Sequence, residues 1–225
     1  MRRVGEPFGA VIFDLDGVLV DAEIWWDEVR ADFARRHDRI WTEADQAAIM
    51  GANSAGWSDT MRQRLRLAEL TREEIEQDIV GAMVERYRTR GAPRIDGAVD
   101  ALRRTAATLP IAVASSSPMV LIAAALASLG VAASFSAVVS SDEVNVGKPA
   151  PDVYLLAASR LGVDPAACLV VEDSVNGVRA GRAAGMVVVL IPNDAVPPAL
   201  GAHEAASIVL GRIERFDVLE LAQQC

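Results

Sequence analysis

Two pairs of carboxylates stand out by position. Asp14-Leu15-Asp16-Gly17 closes the apolar run FGAVIFD, and Glu172-Asp173 follows a second one, Leu169-Val170-Val171. Two aspartates two residues apart, followed by glycine, can form an ordinary turn. An EF-hand loop counted from Asp14 would need Gly sixth and Glu twelfth, where the chain has Leu19 and Trp25, so that reading fails. Three or four carboxylates brought to one edge repel one another and are tolerable together mainly around a cation. An all-oxygen donor set without His or Cys favours Mg²⁺. Because Mg²⁺ retains waters and takes phosphate oxygens as ligands, the acids direct attention to phosphoryl chemistry.

The positive charge is as uneven. Of the 22 basic residues, only Lys148 is a lysine. Chance composition would explain this, and so would a site that admits a compact ammonium and not a planar guanidinium. A phosphate monoester carries about −1.5 to −2 charges. Attack on it by Asp14 brings anion to anion, at a cost of about 4 kcal/mol at ~4 Å and an effective dielectric near 20. One Mg²⁺ and Lys148 would offset that repulsion, with the Ser115 hydroxyl and backbone N–H groups donating to the remaining oxygens. Competing motifs fail on spacing. Gly147-Lys148 precedes Pro149 and lacks the upstream glycines of a Walker A loop. Gly177, Gly181 and Gly185 are spaced by four with Arg179 and Arg182 between them, which suits close helix packing better than a dinucleotide fingerprint. There is no G-x-S-x-G, and His37 and His203 lie in polar surroundings, against a Ser-His-Asp hydrolase.

These groups need elements to bring them together. Apolar runs at Phe8–Asp14, Ile111–Ala114, Ala137–Ser140, Cys168–Val171 and Met186–Ile191 read as buried strands. Helical patterns at Val99–Thr108, Val120–Leu129, Asp152–Leu161 and Val175–Ala184 alternate with them, as in βαβ units and a parallel α/β sheet. Ligands bind such sheets at the carboxyl ends of the strands. Asp14, Asp16, Ser115-Ser116-Ser117, Glu172 and Asp173 fall at or just past those ends, with Lys148 several residues after the third strand. Ala22 to Arg90 has no convincing strand. It carries helical spacing (Val29, Phe33; Met61, Leu65; Ile75, Ile79, Met83), a capping box at Thr71 and Glu74, and all four tryptophans, Trp25, Trp26, Trp41 and Trp57. We read residues 22–91 as a helical insert with a small core of its own, and 1–21 with 92–225 as the domain that carries the parallel sheet.

Composition narrows the class. With 225 residues, 52% apolar and 24% charged, the chain can bury a substantial core. Its net charge of −9 argues against binding a nucleic-acid backbone. Cys168 reads as a small buried apolar residue and Cys225 as a terminal thiol. Without a Cys/His cluster no zinc site is expected. The segment after Met1-Arg2-Arg3 is cut by Asp14 and Asp16, so it is not expected to be a signal peptide, and no run approaches the ~20 apolar residues of a membrane span. The expectation is a cytoplasmic protein with neither a membrane nor a nucleic-acid partner. No pattern bears on assembly, and a monomer is the working expectation.

The segments FDLDGVLVD, IAVASSS, GKPAPDVY and VVEDSVNGVRAG resemble the four motifs of the haloacid-dehalogenase-like superfamily, within it the β-phosphoglucomutase-like and sugar-phosphate phosphatase branch. The resemblance spans Phe8 to Ile191. It implies a Rossmann-like core with a helical cap inserted after the first strand. It makes Asp14 the nucleophile of an aspartyl-phosphate and Asp16 the general acid/base, with Ser115, Ser116 and Lys148 holding the phosphoryl group. It places Mg²⁺ on Asp14, the Asp16 carbonyl and Asp173, with Glu172 as a ligand or just behind. The dehalogenases lack the second aspartate, so Asp16 argues against carbon–halogen chemistry. Two positions depart from the mutase pattern: Trp26 stands where the mutase has a His, and Ser54, counted from Gly51, where it has an Arg. An aromatic near the first position is common in the phosphatases, which Trp26 matches, and MGANSAGW resembles their cap loop, so Trp26 and Trp57 are candidate substrate contacts beside their alternative role in packing. The resulting expectation is a Mg²⁺-dependent phosphatase of a small sugar or polyol phosphate. A hexose-phosphate mutase and a non-catalytic phosphometabolite-binding module are the alternatives.

Overall fold

The computed structural model describes residues 6–49, 52–193 and 201–223. Six strands form one sheet: β1 (Ala10–Phe13), β2 (Ile111–Ser115), β3 (Ala137–Ser140), β4 (Cys168–Glu172), β5 (Val187–Leu190) and β6 (Ile208–Val209). Among the described residues ten α-helices are present: α1 (Glu23–Arg36), α2 (Glu43–Ile49), α3 (Ser54–Arg64), α4 (Arg72–Arg90), α5 (Ala98–Ala106), α6 (Met119–Ser128), α7 (Asp152–Leu161), α8 (Val175–Ala183), α9 (Ala202–Ala205) and α10 (Val218–Ala222). The sheet order is β3-β2-β1-β4-β5-β6 and every pairing is parallel.

Parallel strands covered on both faces have no polar side, and β1 shows it: AVIF is buried throughout. Its side chains alternate between two cores. Val11 and Phe13 join Val113, Leu169 and Val171 on one face, and Ala10 and Ile12 join Ala112, Ala114 and Val170 on the other. Register brings the strand ends level. Phe13 lies opposite both Val113 and Val171, and the Asp14 N–H donates to the Val171 carbonyl at 2.9 Å. The chain leaves β1 toward β2 on one side and later fills β4 on the other. The sheet therefore opens a crevice beside β1 at its carboxyl edge, where polar groups can meet a ligand.

The five expected strands are present. The two-residue β6 was not foreseen, because half-exposed Ile208 and exposed Val209 make too short a run to register as a strand. Helices α1–α4 occupy residues 23–90. The Thr71–Glu74 capping box is closed in both directions. The two connections to this segment run side by side, the Asp21 N–H donating to the Pro93 carbonyl at 2.8 Å. The expected separate core for the insert is corrected. Phe33, Met61, Ile75 and Met83 belong to the same cluster as Val11, Phe13 and Leu169, bridged by Leu15, Leu19 and Val20. Helix α4 also packs against α6, and the Ala92 N–H donates to Ser128 Oγ at 2.7 Å.

Gly177 and Gly181 serve close packing as expected. A methyl group at Gly177 would fall 1.6 Å from Glu172, and one at Gly181 2.7 Å from Val188. Gly185 differs from that expectation: it follows α8 at φ +78, with nothing near the position of a Cβ. Cys168 is buried and free, and burial pushes its thiol up to about 11. Cys225 and Gly51 lie outside the described residues. Among the described residues no helix is long and apolar enough to cross a membrane.

Candidate active site

Asp14 follows β1, Glu172 ends β4 and Asp173 follows it, so three carboxylates meet across one strand boundary. They offer oxygen atoms within 4.8 Å of one another. Lys148 arrives from the loop before α7. Its Nζ donates to Asp14 Oδ1 at 2.7 Å, to Glu172 Oε1 at 2.7 Å and to the Ala114 carbonyl at the end of β2 at 3.1 Å. The lone lysine thus sits at the centre of the acid cluster with its donors committed, and its side chain is only 5% exposed. Burial pushes the ammonium toward the neutral form, but the charges of Asp14 and Glu172 outweigh it and hold Lys148 well above its usual range.

The carboxylates answer differently to the same surroundings. Burial, with the charges of Glu172 and Asp16, raises Asp14 to about 7 against the pull of Lys148. Burial and the charges of Glu172 and Asp14 raise Asp173 well above the carboxylate range. Its side chain accepts no hydrogen bond among the described residues. Glu172 goes the other way: although burial opposes ionisation, Lys148, the Ser174 N–H and Tyr154 hold it below its usual value. Its Oε1 accepts from Lys148 and from the Tyr154 hydroxyl at 2.7 Å. Its Oε2 accepts from the N–H of Asp173 and from the N–H and Oγ of Ser174, each at 3.0 Å.

Asp16 turns away from this cluster. Its Oδ2 accepts from Ser117 Oγ at 2.8 Å and from Ser115 Oγ at 3.4 Å, and its Oδ1 is buried with no partner in normal hydrogen-bond geometry. Burial raises its pKa, and the serines, Lys148 and the nearby Trp26 indole only partly counter this. A carboxyl held toward its protonated form can donate a proton, as a general acid must.

Ser115 is placed as its sequence position suggested. Ser117, one residue beyond the two serines singled out, makes the shorter contact to Asp16, and Ser140 Oγ of β3 anchors it by donating to its carbonyl at 2.8 Å. Ser116 is half-buried and bonds none of these acids among the described residues. Tyr154 was not foreseen either. It lies within the quoted segment GKPAPDVY, six residues past Lys148, and its ring is 4.8 Å from Lys148 Nζ. An aromatic residue between Val153 and Leu155 in the first turn of α7 was the available signal. Trp26 and Trp57 are both buried in the helical segment, edge to face with centroids 6.1 Å apart.

The site suits a divalent cation. Asp14 is buried and Asp173 partly buried, a cation would relieve their mutual repulsion, both Asp173 oxygens are free of hydrogen bonds among the described residues, and every ligand atom in the set is oxygen. Glu172 already accepts hydrogen bonds through both oxygens, from Lys148 among others. Gly17 makes room. It sits at φ +83, and a Cβ there would lie 1.9 Å from Asp173 Oδ2. Gly17→Ala is therefore expected to displace Asp173 and to cost at least ~10²-fold in turnover while Tm falls by only a few degrees, since the strain is local and of order 1–3 kcal/mol. Steady-state kinetics and thermal melts of the variant check this.

A family model described as haloacid dehalogenase-like hydrolase matches residues 8–185. Hexitol phosphatase B of Escherichia coli K12 is 32% identical over 195 residues, covering 81% of this chain and 83% of that protein. Fructose-1-phosphate phosphatase YqaB of the same organism is 32% identical over 188 residues, covering 80% and 95%. The crystal structure of CbbY from Rhodobacter sphaeroides in complex with phosphate superposes with a TM-score of 0.81 at 23% identity, covering 92% of this chain and 96% of that one, which shows a shared fold. With a family match over most of its length and relatives above 30% identity spanning four-fifths of it, the chain belongs to the haloacid dehalogenase-like hydrolases.

Proposed function

We propose that this protein is a Mg²⁺-dependent phosphatase that hydrolyses a small phosphorylated sugar or polyol through an aspartyl-phosphate on Asp14. The chain is a phosphoric monoester hydrolase of its family, and phosphatases of phosphorylated carbohydrates are among its relatives. The observation that carries the mechanism is the division of labour between the two aspartates. Asp14 is fixed through Oδ1 by Lys148, which leaves Oδ2 to act, while Asp16 is held apart by serines with its pKa raised.

In the first step Asp14 Oδ2 forms a bond to phosphorus and the bond to the alcohol oxygen breaks, Asp16 giving that oxygen its proton. In the second a water attacks the same phosphorus, Asp16 takes the water's proton, and the Asp14–phosphorus bond breaks to release inorganic phosphate and the free carboxylate. Lys148 favours the ionised form of Asp14 and orients it, and Ser115 and Ser117 hold Asp16 in place. Asp14 and Asp173, with the carbonyl of Asp16, would hold the Mg²⁺. When bound it supplies charge stabilisation for the phosphoryl oxygens. The helical segment 22–91 acts as the cap that receives the alcohol part, over a core of 1–21 and 92–225.

Trp26 favours hydrolysis over mutase chemistry, because an indole N–H cannot accept a proton as an imidazole can. Phosphate release from a panel of hexose and hexitol phosphates tests the proposal. Release is expected with Mg²⁺ and is expected to stop with excess chelator. Asp173→Asn should raise the Mg²⁺ needed for half-maximal rate at least ~10-fold. Undiminished activity in chelator would overturn the metal assignment, and hexose phosphates interconverted without phosphate release would mark a mutase.

A further inference from the structure

One buried arginine of the helical segment has no part in the chemistry above. Arg30 of α1 is 7% exposed. Its guanidinium carbon lies 4.7 Å from the centroid of Trp26 and 5.4 Å from that of Trp57. Its Nη1 donates to Gln46 Oε1 at 3.2 Å, and that same oxygen accepts from Trp41 Nε1 at 3.2 Å. Two rings set the plane of the guanidinium, and a third, acting through Gln46, sets its rotation within that plane. The opposite edge is bare. Nε is buried with no hydrogen-bond partner, and Nη2 donates to nothing among the described residues. No carboxylate among the described residues pairs with Arg30 within salt-bridge distance.

A guanidinium edge made of Nε–H and Nη2–H is a planar pair of parallel donors. Leaving it unused in a protein interior is unfavourable unless something supplies acceptors. The surroundings point toward the reaction centre. Glu23, Trp26, Asp27 and Arg30 share one side of α1, being three and four residues apart. Trp26 lies by Asp16, and both Glu23 and Arg30 feel the Asp16 charge. Burial lowers Arg30 to about 10 even against the favourable charges of Glu23, Asp27 and Asp16. Glu23 and Asp27 discriminate between acceptors. They would repel a second anionic group on the substrate, whereas a hydroxyl is neutral and can also donate onward to a carboxylate.

We propose that Arg30 is the specificity-determining residue of the active site, its Nε/Nη2 edge donating to adjacent hydroxyl oxygens on the alcohol part of a neutral polyol or sugar phosphate. This deepens the phosphatase reading and rests on it.

The test measures kcat/KM with Mg²⁺ for sorbitol 6-phosphate, 6-phosphogluconate, n-hexyl phosphate and 4-nitrophenyl phosphate. The wild type should prefer sorbitol 6-phosphate to both 6-phosphogluconate and n-hexyl phosphate by at least about tenfold. The ratio of kcat/KM for sorbitol 6-phosphate to that for 4-nitrophenyl phosphate should fall at least about 30-fold in Arg30→Gln and about tenfold in Arg30→Lys, which keeps the charge and loses the planar edge. Losses that run parallel on both substrates, leaving the ratio within about threefold, would show a merely structural role and overturn the assignment. So would a wild-type preference for 6-phosphogluconate or for the alkyl phosphate, a comparison that needs no folded variant. Hydrolysis of 4-nitrophenyl phosphate with no preference for the hexitol ester removes the Arg30 assignment and leaves the phosphatase standing. No Mg²⁺-dependent phosphate release from any of the four removes both.

Discussion

Asp14→Asn is expected to lower kcat by roughly 10⁴-fold or more while the fold survives, because no neighbouring group can take over the nucleophile's place. Lys148 points its charge at Asp14 Oδ1, Glu172 is saturated by five donors, Asp16 is turned to the serines, and Asp173 is crowded against Gly17. An amide fits the same space and can still accept from Lys148 through its oxygen. The substitution also removes a charge that raises Asp173, and Lys148 keeps Glu172 as its ion-pair partner, so the Tm measured without divalent ions should fall little. Pre-steady-state phosphate release and thermal melts check both halves. A well-folded variant that keeps more than a few per cent of turnover would remove Asp14 from the role of nucleophile.

The second large effect is expected at Lys148. Lys148→Arg preserves charge, and a residue acting only as a diffuse cation would tolerate it. The ammonium here is a contact group. Three acceptors lie within 3.1 Å of Nζ and an aromatic ring lies on another side. A planar fork is wider and carries its donors farther out, so it cannot meet Asp14, Glu172 and the Ala114 carbonyl together. We expect kcat/KM for an aryl phosphate to fall at least ~10²-fold, equivalent to about 2.7 kcal/mol of transition-state stabilisation. Lys148→Ala should lose more and should also lower the Tm, since removing one partner of a buried ion pair costs about 3–5 kcal/mol. Near-wild-type kinetics for the arginine variant would make the single lysine an accident of composition.

The strand ends that carry the candidate site were legible because local patterns mark them. A run of apolar residues that ends in an acid can be read without knowing its neighbours, since a strand buried on both faces is apolar throughout and its end is where polarity returns. That is why Asp14, Ser115 and Glu172-Asp173 were found, and why the helix boundaries between them lay within a residue or two of those observed. Where length is the signal, short elements escape, as β6 did. The resemblance supplied roles for these residues, whereas spacing alone left a turn and a cation site equally open at Asp14-Leu15-Asp16-Gly17.

Partner choice was not legible. Consecutive serines at 115, 116 and 117 are identical as residue types, and only the turn after β2 decides that the first and third approach Asp16 while the second does not. Glu172 and Asp173 are adjacent acids in the chain. The Ser174 cap of α8, Lys148 and Tyr154 satisfy the first and leave the second without donors, so one orients and the other is available to a cation. The tryptophans of the helical segment could be counted but not assigned, because a ring packed in a core and a ring clamping a buried arginine have the same periodicity. Chain-local regularities such as burial, period and strand ends depend on each residue's own solvation and backbone preference, and these are written residue by residue. Which donor meets which acceptor depends on distances between segments as much as 134 residues apart, as at Lys148 and Asp14, and those distances exist only once the sheet has closed around them.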